Sequence, residues 1–511
     1  MYTSLKFGET IKDNWGIINI YDKDSNPTNL IGVRGPMFNT DKLDELLKTK
    51  KLIGISAYQN FPQPVKNIHD QSNYKDTSNI FLKTYGNKII LWCHCFKDPQ
   101  SYIPSGIPLL LHSDSDQYNG ITLNNLANTV EKQYDFFCSL PNGQWNDWIR
   151  GAEVAKKWLN YMADTMGLKI LIGGGDKKNG FSEKIVFLGH LQWNQFIDSM
   201  NTCKYMINFS RYDASPRVII ESLSLNIPVL LNQDILGGWK YINNSTGKLF
   251  FYDEPIEECI TTFINTSFSP LNWMKLNFDS NKNKILLANT INTIMSYKYE
   301  DFLDGIMYIN LTEREDRNTS ILREFNKAEI PEHLIHRIDA VLNKSCGHLG
   351  CTDSHIKALE YAKQMKWKHF LILEDDAIFN YPKERILYIL SEFFKKYENN
   401  WDVFMLSTYW KELLDTDIDF IKKVIWGTTT TSYIVNHHYI DTLLSNYKES
   451  RNLLFDEVEI YTQTNLDKKL YITSNALDQY NNRIQKRDRW YISNPYLCNA
   501  DGQLYSSIMS T

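Results

Sequence analysis

VFLGHLQWNQFIDSMNTCKYMINFSRYDASPRVIIESLSLNIPVLLN, Val186 to Asn232, decides the fold class. KIVFLGH, from Lys184, reads as a strand, WNQFIDSMNTC as a helix, KYMINFS as a strand, SPRVIIESLSLN as a helix and IPVLLN as a strand. Short apolar runs alternating with helical segments of roughly 10–15 residues predict a parallel sheet in an α/β layer fold. Upstream, DFFCSL from Asp135 and LKILIGGG from Leu168 read as further strands. Between them, Val154, Trp158, Tyr161, Met162 and Met166 fall at helical spacing, which predicts a helix over Gly151 to Met166. Earlier still, KKLIGISAY, NKIILWCHCF and IPLLLHSDSD read as buried strands, and Asn119 to Asp135 as a helix.

A second α/β unit starts near Leu303. GIMYINL, HFLILED, DVFMLST and TSYIVN read as its strands, with helices between them. YKYEDFLD, Tyr297 to Asp304, is half charged and reads as a linker. At roughly 150 residues per domain, 511 residues leave room for about three. The expected division is 1–130, 131–300 and 301–511. The chain is 43% hydrophobic and 23% charged, which excludes wholesale disorder. A net charge of −5 argues against a nucleic-acid binder. No stretch approaches the ~20 apolar residues that cross a bilayer. The opening MYTSLKFGETIKDNWG lacks the order of a secretory signal. A cytosolic protein without an integral membrane segment is expected. Eight cysteines without a CxxC pair suggest reduced thiols, and Cys351 reads as core.

Two constellations carry chemistry. In the first, Ser215 suits an N-cap and Pro216 the first helical position. Asp213 then stands in the loop at the helix N-terminus, with Arg217 in the first turn and Glu221 further inside. Backbone N–H groups there can hold an anion at the carboxyl end of a strand, and a carboxylate just inside could hold ribose hydroxyls. Asp114-Ser115-Asp116 has the spacing of a metal-binding acid pair, but reads as a polar turn.

This segment resembles the acidic-x7-acidic motif of retaining GT-B glycosyltransferases of the glycosyltransferase 4 type, over roughly Asp135 to Phe251. The resemblance implies a pair of Rossmann-like halves, the first reduced, and, where this part is active, a second transfer that retains configuration and needs no metal. It implies that Glu221 binds the nucleotide ribose and that Asp213 faces the donor sugar. GGWKYINNSTGKLF matches the segment after the motif, where Gly237 and Gly238 would let backbone approach a diphosphate. Asp213 replaces the usual glutamate. The usual Arg and Lys pair has no clear counterpart; Arg150 and Lys156 are the candidates.

In the second constellation, KHFLILEDDAIF ends a buried strand in Glu374, Asp375 and Asp376. Alternation puts Glu374 and Asp376 on one face. Two carboxylates there are costly unless compensated, and Mg²⁺ or Mn²⁺ is a natural compensation. YINLTEREDR (Tyr308 to Arg317), GCTDSHIKALEYA (Gly350 to Ala362) and VIWGTTTTSYIVNHHYIDTLL (Val424 to Leu444) follow in order with this stretch. LDQYNNRIQ and YISNPYLCNADGQLYSSI come after them. Together they resemble the glycosyltransferase 25 family, which includes lipooligosaccharide and collagen galactosyltransferases. The resemblance implies a GT-A fold and inverting transfer of galactose or glucose from a UDP-sugar to a glycan or glycoprotein hydroxyl. Glu374 and Asp376 would hold Mn²⁺. Asp478 is the candidate base by motif position, with Asp456 and Glu457 as rivals. Arg314 and Arg317 would hold the nucleotide end, or else form a solvated face. Thr352 or Asp353 would cap the helix after Gly350, with Ile356, Leu359, Ala362 and Met365 on its apolar face. That start puts Ser354 and His355 in the first turn, positioning donor or acceptor. The rival class is a carbohydrate- or nucleotide-sugar-binding module without turnover.

Overall fold

The computed structural model describes residues 1–63, 78–409, 411–464 and 475–502. The chain forms two compact units. The first comprises Met1–Ile103 and Leu109–Asn292, the second Pro104–Pro108 and Thr293–Thr511.

The first unit holds two six-stranded sheets. The first sheet runs β1 (Lys6–Ile11), β2 (Asn14–Tyr21), β3 (Pro27–Val33), β4 (Lys51–Ile55), β5 (Ile89–His94) and β6 (Leu109–Leu111) in order. β1 to β3 form an antiparallel meander, and β3 to β6 are parallel. The second sheet contains β7 (Tyr134–Ser139), β8 (Ile170–Gly173), β9 (Val186–Phe187), β10 (Cys203–Asn208), β11 (Val229–Asn232) and β12 (Gly247–Phe250). Its order is β12-β11-β10-β7-β8-β9, all parallel. Strand order reverses between β7 and β10, where open α/β sheets leave a crevice beyond the carboxyl ends. Apolar side chains cover both faces of this sheet, with Trp158, Leu159 and Phe263 on one and Ile197, Ile220 and Leu223 on the other.

The second unit is built on an eight-stranded mixed sheet. Its strands are β13 (Gly305–Asn310), β14 (Ile335–Asp339), β15 (His369–Glu374), β17 (Val403–Met405), β18 (Lys411–Asp415), β19 (Ile421–Gly427), β20 (Ser432–Asn436) and β21 (Trp490–Ser493). β16 (Ala377–Phe379) pairs separately with β22 (Cys498–Ala500). The order is β14-β13-β15-β20-β17-β21-β19-β18. β14, β13 and β15 run parallel, and β20 is antiparallel to β15.

Several expectations change. Asn119 to Asp135 is not an α-helix: it holds a 3-10 helix, Gly120–Leu126, and the start of β7. Tyr297 to Asp304 is not a linker, because Tyr299 and Leu303 are buried in the second unit's core. The Tyr299 hydroxyl donates to the Ala328 carbonyl. The helix expected after Gly350 starts at Gly347 with no side-chain cap, so Ser354 and His355 lie inside it rather than in its first turn. Thr352 Oγ1 donates back to the His348 carbonyl instead of capping, and Asp353 pairs with Arg451. Met365 is exposed, unlike Ile356, Leu359 and Ala362. Residues 503–508 of the closing motif lie outside the described residues.

Candidate functional site

In the first unit, the carboxyl ends of both sheets face a cleft of about 360 Å³. Trp15, Arg34, Tyr58 and Asp114 line it from the first sheet; Ser139, Arg150, Asp213, Ser215 and Arg217 line it from the second. Asp213 is ion-paired with Arg150, and its Oδ1 accepts the Ser215 N–H at 3.2 Å. Arg34 lies 3.4 Å from Asp114. Burial pushes the Asp114 carboxyl up against the pull of Arg34 and Arg217. Three arginines against two aspartates leave the cleft net positive.

Some expected roles shift here. Ser215 does not cap the helix Arg217–Ser224, whose N-cap is Pro216. Its hydroxyl instead accepts the Ser115 N–H at 2.9 Å. Glu221 is buried, and its Oε1 accepts from Trp193 Nε1 at 2.9 Å and Tyr118 Oη at 3.2 Å. Gly237 and Gly238 admit a close approach by protein: a Cβ on Gly237 would lie 1.9 Å from the Ala214 carbonyl oxygen, and one on Gly238 2.7 Å from Pro216 Cγ. They seat the loop that carries Asp213. Lys156 pairs with Glu153 on its own helix and is not among the cleft residues, whereas Arg150 is. Asp116 is a buried hub: it accepts from Ser113 N–H, Lys240 Nζ at 2.6 Å and Tyr241 Oη at 2.7 Å.

In the second unit, β15 ends at Glu374, and Asp375 and Asp376 form the turn after it. Strand alternation therefore stops before Asp376, and all three acids line one cavity of about 110 Å³. Its other walls include Arg317, the loop 340–343, and Gly350, Cys351, Ser354 and His355. Gly350 is required by packing, because a Cβ there would lie 2.4 Å from the Val341 carbonyl oxygen. Ser354 Oγ accepts the Val341 N–H at 2.8 Å and donates to the Gly350 carbonyl at 2.6 Å. Gly350 and Ser354 thus set the loop against the helix.

The three acids differ in their partners. Asp375 accepts from Arg317 at 2.6 Å and Asn310 Nδ2 at 2.8 Å. Glu374 Oε1 accepts from Thr430 Oγ1 at 2.7 Å and lies 3.4 Å from His355 Nε2. Burial pushes Glu374 up, but the bonds from His355 and Thr430 and the charge of Arg317 outweigh it and leave its carboxyl below the ordinary range. Asp376 Oδ1 is buried and has no hydrogen-bond partner among the described residues. Its other oxygen is 3.7 Å from Arg317. Burial, then the charges of Glu374 and Asp375, push the Asp376 carboxyl up to about 7. An orphaned, crowded carboxylate oxygen fits a hard cation. Arg317 belongs to this site. Arg314 pairs instead with Asp316 through two bonds of 2.9 and 2.8 Å and is not among the lining residues.

Glu374 and Cys351 also border a second cavity, of about 320 Å³. His348, Tyr409, Thr428, Thr429, Thr430, Asp478 and Gln479 complete its lining. Asp478 stands in the short helix Leu477–Tyr480, and its Oδ2 accepts from Gln479 Nε2 at 3.2 Å. Thr429 has φ 85°, a strained position for a β-branched residue, in a loop whose Thr431 carbonyl accepts the Glu374 N–H. Asp456 is exposed, Glu457 accepts from Asn475, and neither lines this cavity. His348, Tyr409 and Thr430 were not foreseen, and Cys351, read as core, reaches both cavities. The spacing of His348, Cys351 and His355 on one helix was the available signal.

No family model matches the chain, and no curated protein matches it. Among solved structures, similarity covers about half of the chain. Sucrose-phosphate synthase from Thermosynechococcus elongatus is 11% identical over 52% of this chain and 74% of its own, with a TM-score of 0.39. The pneumococcal O-GlcNAc transferase GtfA, in complex with UDP and GlcNAc, is 9% identical over 57% and 71%, at 0.35. HepE of Anabaena, in complex with UDP-glucose, is 13% identical over 50% and 75%, at 0.35. Among the described residues, no helix is long and apolar enough to cross a membrane.

Proposed function

We propose that the chain is a glycosyltransferase whose second unit moves a hexose, galactose or glucose, from a UDP-sugar to a hydroxyl of a glycan or glycoprotein. The reading includes a GT-A-type second unit of the glycosyltransferase 25 kind and a GT-B-like first unit. The observation that carries it is the orphaned Asp376 Oδ1 in an acid-lined cavity that shares Glu374 with a second cavity containing Asp478. One cavity suits the donor, the other the acceptor.

Glu374 and Asp376 would hold Mn²⁺ or Mg²⁺, which when bound supplies charge neutralisation for a leaving diphosphate. The remaining work falls to the chain. Arg317 balances Asp375 and keeps the turn after β15 in place. Thr430 and His355 orient Glu374. Asp478 takes the proton from the acceptor hydroxyl as its oxygen bonds to the anomeric carbon. The bond from that carbon to the UDP oxygen breaks in line, UDP leaves with the electron pair, and the configuration inverts.

For the first unit, the geometry favours binding without transfer. Asp213, expected at the donor sugar, is tied to Arg150, and Glu221 is covered by Tyr118 and Trp193. We read its positive cleft as a nucleotide-sugar-binding module. UDP release from a panel of UDP-sugars with Mn²⁺ tests the whole reading. Asp376→Asn should lower the rate by about 10²–10³, as loss of one preorganised electrostatic group does. An undiminished rate in that variant, with Asp478→Asn also active, would refute it.

A further inference from the structure

Cys351, His355 and Glu374 place one ligand atom each within 4.8 Å of one another. Cys351 and His355 are four positions apart on the helix Gly347–Met365, so both face the end of β15. From this geometry we infer a second cation site, Cys351 Sγ, His355 Nε2 and Glu374 Oε1, selective for a thiophilic divalent ion such as Zn²⁺.

Three features support it. Thiolate and imidazole select zinc-like ions, whereas the all-oxygen pair Glu374 and Asp376 selects Mg²⁺ or Mn²⁺. The spacing also fits. Nitrogen and oxygen ligands of a tetrahedral zinc stand about 3.3–3.5 Å apart, given bonds of ~2.0–2.1 Å. His355 Nε2 and Glu374 Oε1 are 3.4 Å apart. An outer partner is in place as well. His355 Nδ1 lies 2.8 Å from the Tyr433 hydroxyl. On binding, His355 keeps its Nδ1–H on the Tyr433 hydroxyl and gives up the Nε2–H that otherwise meets Glu374, which frees the Nε2 lone pair for the ion, as ligating histidines require. Three protein ligands beside two cavities leave a fourth position open to water. On binding, the Cys351 thiol loses its proton to solvent and its sulfur lone pair goes to the ion.

Zinc binding here does not depend on sugar transfer. One consequence does: because Glu374 is shared, zinc would withdraw it from the hard cation and antagonise Mn²⁺-dependent turnover. A direct test uses Co²⁺ as the probe, titrated into the full chain while its thiolate charge-transfer absorption is followed. The other seven cysteines are buried, so the wild type itself reports on Cys351. The expected result is a band that saturates at one equivalent, is bleached by Zn²⁺ and persists in 100-fold excess Mg²⁺. Cys351→Ser should abolish it, His355→Gln should weaken Co²⁺ binding at least tenfold, and Asp376→Asn should leave it in place. No thiolate band in the wild type, or a band undiminished in Cys351→Ser, would overturn the site whatever the transferase assay shows.

Discussion

The two units put the same residue types at the carboxyl ends of parallel strands, and balance them oppositely. In the first cleft, Asp114 and Asp213 face Arg34, Arg150 and Arg217, so positive charge is in excess. In the second unit's acid-lined cavity, Glu374, Asp375 and Asp376 share Arg317 as the arginine of the lining. The first arrangement has spare donors for an anion. The second has a spare carboxylate oxygen for a cation. An acid at a strand end therefore says little by itself; the neighbouring charges decide what it can hold.

The largest expected effect contrasts the two arginine–aspartate pairs. Arg317 and Asp375 each expose 9% of their side chains, while Arg150 and Asp213 expose 25% and 14%. Removing one partner of a buried pair strands the other and costs about 3–5 kcal/mol. Arg317→Met should cost that much. Arg150→Met, in a wetter cleft, should cost about 1 kcal/mol. Urea unfolding of both variants measures the difference, and equal losses would erase the contrast.

A smaller effect follows from Asp376, whose carboxyl rises from its ordinary 3.8 to about 7. The folded chain then holds a proton that the unfolded chain has lost between about pH 4 and 7. That stability is complete below the unfolded value and is lost as pH rises through about 7. Glu374 shifts the other way, so its contribution is lost only as pH falls through its lowered range. Without divalent cations, Asp376→Asn should therefore stabilise the chain at pH 8 by about 1–3 kcal/mol, and at pH 5 by roughly a third of that. Thermal melts in chelator at the two pH values check the sign. Excess Mn²⁺ should stabilise the wild type more than the variant.

Part of each unit's sheet was legible in the sequence, for identifiable reasons, and the charge balance of the two sites was not. β7, β8, β10 and β11 are covered on both faces, so they read as unbroken apolar runs between helices. β1 to β3 were missed because strands such as KFGETI and NWGIINIY mix polar residues and glycine with short apolar runs. The helix start at Gly347 was missed because CGHLG has no capping side chain and two glycines. Three adjacent acids closing a buried strand stood out because they cannot be core. Their partners did not. Arg317 comes from 58 positions away and Thr430 from 56, distances that only the sheet order closes. Cys351 was misread because free cysteines are usually buried, and the exception lies at a helix face that ends beside Glu374.

The smallest effect sharpens the comparison from the anion side. In chelator, the acid-lined cavity repels a nucleotide diphosphate, so UDP binding should report on the arginine cleft alone. Arg217 lines that cleft at the start of the helix Arg217–Ser224, with its guanidinium carbon 6.0 Å from the Tyr118 ring centroid. Its partial exposure to water and salt limits its contribution to about 0.5–1 kcal/mol. Arg217→Ala should therefore weaken UDP about twofold to fivefold by calorimetry, with a shallower dependence on salt. Asp213→Asn should act in the opposite direction, by freeing Arg150 for the ligand. If UDP does not bind in chelator, or binds with the same affinity in both variants, the first cleft does not hold the diphosphate. The excess of arginine there would then serve packing around Asp114 and Asp213.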